Sequence, residues 1–153
     1  MIPTFALRPA RASDVGFLTG LEALVMQDHA VALWGRFRPA EPPSAFDLAN
    51  TRIVGVGESF VGYIMIEATP DHLRLRKLYL VPDWQGRGLG AHLLTVAKAE
   101  ATAAALPLRL SVLRPNRRAV SFYLREGFRV ADQTDDRVFL SCPWREVSHD
   151  PVL

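Results

Sequence analysis

Apolar residues along this chain fall into two rhythms. Period-two alternation, the mark of a strand with one buried face, occurs at Phe5-Ala6-Leu7-Arg8 and stops at Pro9. It returns at Ile53, Val54 and Val56, and the turn Gly57-Glu58-Ser59 separates that run from its hairpin partner, Val61 to Ala68. Thr69-Pro70-Asp71 makes a second turn, and His72 to Val81 comes back as a third strand. Within this strand Leu73 and Leu75 hold odd positions, whereas Leu78 and Leu80 hold even ones. A regular pleat cannot bury both pairs on one face. One extra residue near Arg76-Lys77, a β-bulge, would do so and would bend the strand; the alternative is a strand end buried on both faces.

Helical spacing takes over elsewhere. Ser13-Asp14 offers a helix start ahead of Leu18, Leu21 and Val25. Leu89, Leu93, Val96 and Ala97 share one face of a helix that runs through alanines to Ala105 and stops at Pro107. Leu108 to Leu113 is a further strand, Asn116 to Glu126 a short helix capped by Gly127, and Phe128 to Val130 and Arg137 to Leu140 are the last two strands. Between Gln27 and Phe46 the pattern weakens into a second helix around Ala30 to Phe37 and the breaker-rich run Arg38-Pro39-Ala40-Glu41-Pro42-Pro43. Strands in a run, followed by strands alternating with helices, predict an α/β fold: a mixed, mostly antiparallel sheet of about seven strands with helices on both faces.

Composition narrows the choice of function. A chain of 153 residues, 49% of them hydrophobic, suits one domain over residues 1–153. The net charge of +2 does not mark a strongly basic nucleic-acid binder and leaves the partner open. Cys142 has no second cysteine to pair with and reads as structural, and His92 and His149 lack partners at metal-ligand spacing, so no metal is expected. Neither a signal-type N-terminus nor an apolar run of membrane-spanning length is evident, which makes a cytoplasmic protein without a membrane partner the expectation.

The chemistry concentrates after the third strand. Leu78-Tyr79-Leu80-Val81-Pro82 leads through Asp83-Trp84 into Gln85-Gly86-Arg87-Gly88-Leu89-Gly90 and then into the long helix. Three glycines let backbone N–H groups turn toward a ligand, the helix start adds partial positive charge, and Arg87 adds a full one. This is a cradle for a phosphate or pyrophosphate. Glycine-rich turns also serve dinucleotide and nucleotide sites, but the Walker Lys-Ser/Thr pair is absent and an antiparallel hairpin precedes the loop.

These segments resemble the GNAT superfamily of N-acyltransferases, as does a second motif formed by Asn116, Ala119, Phe122, Tyr123, Gly127 and Phe128. The resemblance is sharp from Val61 to Val130; residues 27–50 would be the variable substrate side and 142–153 a tail. It implies the GNAT fold with its bulged strand at an acyl-CoA cleft, and acetyl-CoA as cosubstrate. By the same resemblance the thioester would be attacked by a primary amine, from a small molecule or a peptide, in a ternary complex. Backbone groups of Leu78 and Leu80 would hold the pantetheine arm as an added strand does, Gln85, Gly86, Arg87, Gly88, Leu89, Gly90 and Ala91 the pyrophosphate, and Asn116 the pantetheine region. Tyr123 would be the general acid that protonates the departing thiolate. Homodimers are common among such proteins, so a homodimer is a further expectation.

The base departs from the family's pattern. Positions where members carry a carboxylate hold Arg74 and Ser111, leaving Glu67 as the nearest acid, ahead of His29 and His72. Glu67 could instead pair with Arg74 or Arg76 across the hairpin. An Arg74 facing the cleft would favour an acceptor bearing a carboxylate or phosphate. Trp34-Gly35-Arg36-Phe37-Arg38 could line the acceptor pocket or pack on the core. Arg114, Arg117 and Arg118 crowd a helix start, where an anion such as the CoA 3′-phosphate would relieve them. Two other classes remain open: a catalytically weak acyl-CoA-binding module, which the missing carboxylates would explain, and a nucleic-acid or protein binder using the arginine surface, against which the glycine loop speaks.

Overall fold

A computed structural model describes residues 4–39 and 41–144; Ala40 of the proline-rich run, His149 and the tail from residue 145 onward lie outside that description. Seven strands form one sheet: β1 (Ala6–Pro9), β2 (Thr51–Val56), β3 (Ser59–Ala68), β4 (Leu73–Leu80), β5 (Leu108–Leu113), β6 (Arg129–Gln133) and β7 (Arg137–Cys142), in the spatial order β1-β2-β3-β4-β5-β7-β6. Only β4 and β5 run parallel. Three helices, α1 (Val15–Trp34), α2 (Leu89–Ala104) and α3 (Arg117–Arg125), complete the mixed α/β architecture anticipated above.

The bulge in β4 is where the leucine phase required it. Met65 of β3 pairs with Lys77 and Ile66 with Leu75, so Arg76 is the extra residue. Leu73, Leu75 and Leu78 thereby join one core with Ile64, Ile66, Leu94, Ala97 and Tyr123, beneath α2 and α3. Tyr79 and Val81 turn to the opposite face and pack with Leu18, Leu21, Tyr63 and Met65 beneath α1. Tyr63 anchors α1 by donating its hydroxyl hydrogen to the Leu18 carbonyl, 3.2 Å away.

One expectation fails. No separate helix covers Ala30 to Phe37: α1 continues unbroken to Trp34, and Gly35, at φ +75°, closes it by donating its N–H to the Val31 carbonyl at 2.9 Å. The reason is local, since no proline or glycine interrupts the chain between Gly20 and Gly35. The following stretch, anticipated as irregular, contains two single 3-10 turns, Pro43–Ala45 and Leu48–Asn50, and buries Phe46 against Tyr63.

The parallel pairing that joins the two halves of the sheet is short. β4 and β5 are in register only at Leu73↔Leu108 and Arg74↔Arg109. Beyond these pairs the strands part, β4 following β3 and β5 following β7, and a wedge opens through the sheet.

Candidate active site

The wedge holds a cleft of about 260 Å³, walled by β4 from Arg74 to Tyr79 and by β5 from Leu110 to Leu113. Ala119 and Tyr123 line it on the α3 side, and Glu22, Met26 and Ala30 on the α1 side. The cleft therefore reaches elements on both faces of the sheet.

On the α3 side, Asn116 caps the helix by accepting the Ala119 N–H at 3.2 Å, and it also lines the cleft. Tyr123 is buried and held edge-on between Phe122 and Phe128, with ring centroids 5.1 and 5.5 Å away. Burial pushes its phenol above the ordinary value, so the hydroxyl remains a proton donor at physiological pH.

Below the cleft mouth, the turn after β4 is built to expose amides. Gly86 and Gly88 stand at φ +71° and +86°, in the left-handed region that penalises any side chain. The N–H groups from Gly86 to Ala91 donate to no carbonyl among the described residues, as expected for a helix start. Gln85 braces the turn from its side-chain amide to the Leu80 carbonyl at 2.9 Å, and Arg87 stacks 4.5 Å over Trp84. A Cβ at Gly86 would lie 3.4 Å from Arg118 Nη2, which brings that arginine of α3 over the same loop. Exposed amides, two guanidinium groups and a helix N-terminus fit the diphosphate of a nucleotide-linked thioester.

The α1 side is charged. Lys77, only 7% exposed, lies 2.5 Å from the Glu22 carboxylate and 2.9 Å from that of Glu41. Arg76, at the bulge, approaches Asp47 at 3.1 Å, Glu67 at 3.4 Å and Glu41 at 3.9 Å. Glu67 is thus engaged by a cation and does not line the cleft, whereas Glu22 does. Glu22 was missed in the sequence, although its signal was present: it follows Leu21 and stands four residues after Leu18, on the apolar stripe of α1. Lys77 likewise occupies an inward strand position. His72 is bound up in the turn with Thr69 and Asp71, and neither it nor His29 lines the cleft. Cys142, a half-buried free thiol, lies in a separate hollow with Lys98, Gly127 and Trp144.

A family model described as an acetyltransferase (GNAT) domain matches residues 49–130, more than half of the chain. The chain belongs to the GNAT family. Its match to the uncharacterized N-acetyltransferases Rv2669 of Mycobacterium tuberculosis (strain H37Rv) and Mb2688 of Mycobacterium bovis is 42% identical over 74 residues, 46% of this chain and 46% of each relative. The match thus spans about half the length of these curated relatives. Among solved structures, the PaiA N-acetyltransferase of Thermoplasma acidophilum in complex with coenzyme A superposes with a TM-score of 0.74 at 17% identity, covering 92% of this chain and 99% of that one. An acetyltransferase of Thermus thermophilus gives 0.69 at 24% identity, covering 92% and 97%. At these identities the likeness establishes the fold. No described helix is long and apolar enough to cross a membrane.

Proposed function

We propose that the protein is an acetyl-CoA-dependent N-acetyltransferase whose two substrates meet through the wedge between β4 and β5. The observation that carries this reading is the cleft itself: it opens beside an unbonded amide cradle, has a buried phenol on one face and a buried carboxylate on the other. The pyrophosphate would rest on Gly86 to Ala91, with Gln85 bracing the turn and Arg87 and Arg118 adding charge. The pantetheine would run along β4 past Leu78 and Leu80, near Asn116, supplying the hydrogen bonds that β5 does not.

In the ternary complex the amine lone pair attacks the thioester carbonyl carbon, the carbon–sulfur bond breaks, and the sulfur departs with its electron pair. Tyr123 donates its phenolic proton toward that sulfur. The proton lost by the amine nitrogen passes to a carboxylate; both Glu22 and Glu67 are paired with a cation, and Glu22 is better situated to receive it because it lines the cleft and Glu67 does not. Proton return through the cleft to the phenolate leaves free CoA thiol and an N-acetylated amine, with no covalent enzyme intermediate. The segment that follows α1 forms the rim of the acceptor side, and we read the chain as one such catalytic domain.

Calorimetric titration with acetyl-CoA, followed by amine-dependent thiol release, tests this reading. Saturable binding with thiol release supports it. Binding with no release for any amine would favour a sensor of acyl-CoA, and absence of binding would refute the assignment.

A further inference from the structure

The acceptor side of the cleft sorts its charges. Arg76 and Lys77 are satisfied by four carboxylates, those of Glu22, Glu41, Asp47 and Glu67. Three other guanidinium groups line the cleft, Arg38, Arg74 and Arg137, and none has a carboxylate within 4.0 Å among the described residues. The Arg137 guanidinium makes one hydrogen bond among the described residues, donating from Nη1 to Ser111 Oγ at 3.3 Å. Arg74 stands on β4 at the point where the strands part, and Arg137 on β7 pairs with Leu113 of β5, so the two come from opposite walls of the wedge. Three unpaired cations around one concavity repel one another unless an anion joins them, and guanidinium groups favour planar oxyanions with two parallel hydrogen bonds. Buried Glu22, paired with Lys77 at 2.5 Å, supplies a carboxylate on the wall of the same cleft.

We propose that the acceptor carries an oxyanion, a carboxylate or a phosphate, on the same molecule as its amine. Arg74 and Arg137 grip the anion, with Ser111 orienting Arg137, while the amine points to Glu22. This inference rests on the acetyltransferase reading. Arg74 and Ser111, the residues standing where a base was sought, thereby become determinants of specificity.

The test compares matched acceptors on the wild-type protein: the free amino acids against their carboxamides, and O-phosphoethanolamine against ethanolamine. The expected result is a preference of about ten- to a hundredfold in kcat/KM for the anionic member of at least one pair, the range of one or two hydrogen bonds to charged groups. The amino-acid and phosphoethanolamine arms show which oxyanion is taken. Arg74→Gln and Arg137→Gln should each cut that ratio about tenfold, Arg137→Lys should restore part of it, and Arg137→Glu should turn the preference toward agmatine. Independently of turnover, the CoA complex should bind N-acetyl amino acids more tightly than their amides in calorimetry. Equal rates within both pairs, or N-acetylated products of both pairs bound with no regard to their oxyanion, would overturn the inference while leaving the acetyltransferase reading intact. Failure of the protein to bind acetyl-CoA would remove both.

Discussion

In the proposed mechanism Tyr123 and Glu22 divide the proton traffic, and each makes a separable prediction. Tyr123→Phe removes the donor without altering the aromatic packing with Phe122 and Phe128. Turnover should fall about 10²- to 10³-fold, while the calorimetric affinity for acetyl-CoA stays within about twofold; an equal loss in both would mean that the hydroxyl only binds. Because burial raises the phenol's pKa, its donating form persists above the ordinary value of ~10. Turnover should therefore rise with pH as the amine loses its proton and then hold level, with no fall below pH ~10. Glu22→Gln keeps Lys77 paired to Glu41, so the fold should survive. Its turnover should drop about 100-fold near neutrality and recover at alkaline pH, where the amine arrives already deprotonated. A pH profile parallel to that of the wild type would assign Glu22 to structure alone. At this scale the glycine turn and the phenol were legible in the sequence, because a motif fixes their spacing. Glu22 was not, because its role depends on which strand α1 covers.

Among the elements, β4 carries most of the design. Its bulge was readable from a leucine phase that no flat strand could satisfy, and the structure places Arg76 as the extra residue. Less readable was the closeness of β3. A Cβ added at Gly62 would lie 2.3 Å from the Tyr79 carbonyl oxygen and 2.7 Å from the Leu80 side chain. Gly62→Ala should thus push β4 away from β3, lowering stability by about 3 kcal/mol, seen as a lower urea midpoint. It should also weaken acetyl-CoA binding, since Leu78 and Tyr79 of the displaced strand wall the cleft; a stable variant with normal affinity would show that β4 can move freely. The boundary of α1 was misjudged for the complementary reason. The chain beyond Ala30 bears tryptophan, arginines and prolines that suggest a break, but only Gly35 has the backbone freedom to end the helix.

For the molecule as a whole, the hairpins up to β4 and a mixed sheet of about seven strands could be read from spacing, whereas the placing of β7 between β5 and β6 and the two-residue length of the β4–β5 contact could not. That contact depends on the divergent paths of two half-sheets, which no local pattern encodes. A ligand spanning the gap should stabilise the native state markedly. At acetyl-CoA about a hundredfold above its Kd, the gain is about 2.7 kcal/mol, or roughly 5 to 10 °C in a thermal melt for a domain of this size. A shift near zero at saturation would mean that the halves hold together without it. The parting of the strands has one more consequence. Exposed strand edges invite other chains to add to a sheet and so lead toward aggregation, and here two such edges lie inside the protein. They face each other across the cleft with β3 and β7 paired behind them, so each edge is flanked by the other rather than by open solvent alone. The same splay that would admit the proposed cosubstrate thus keeps two strand edges away from the outer border of the sheet.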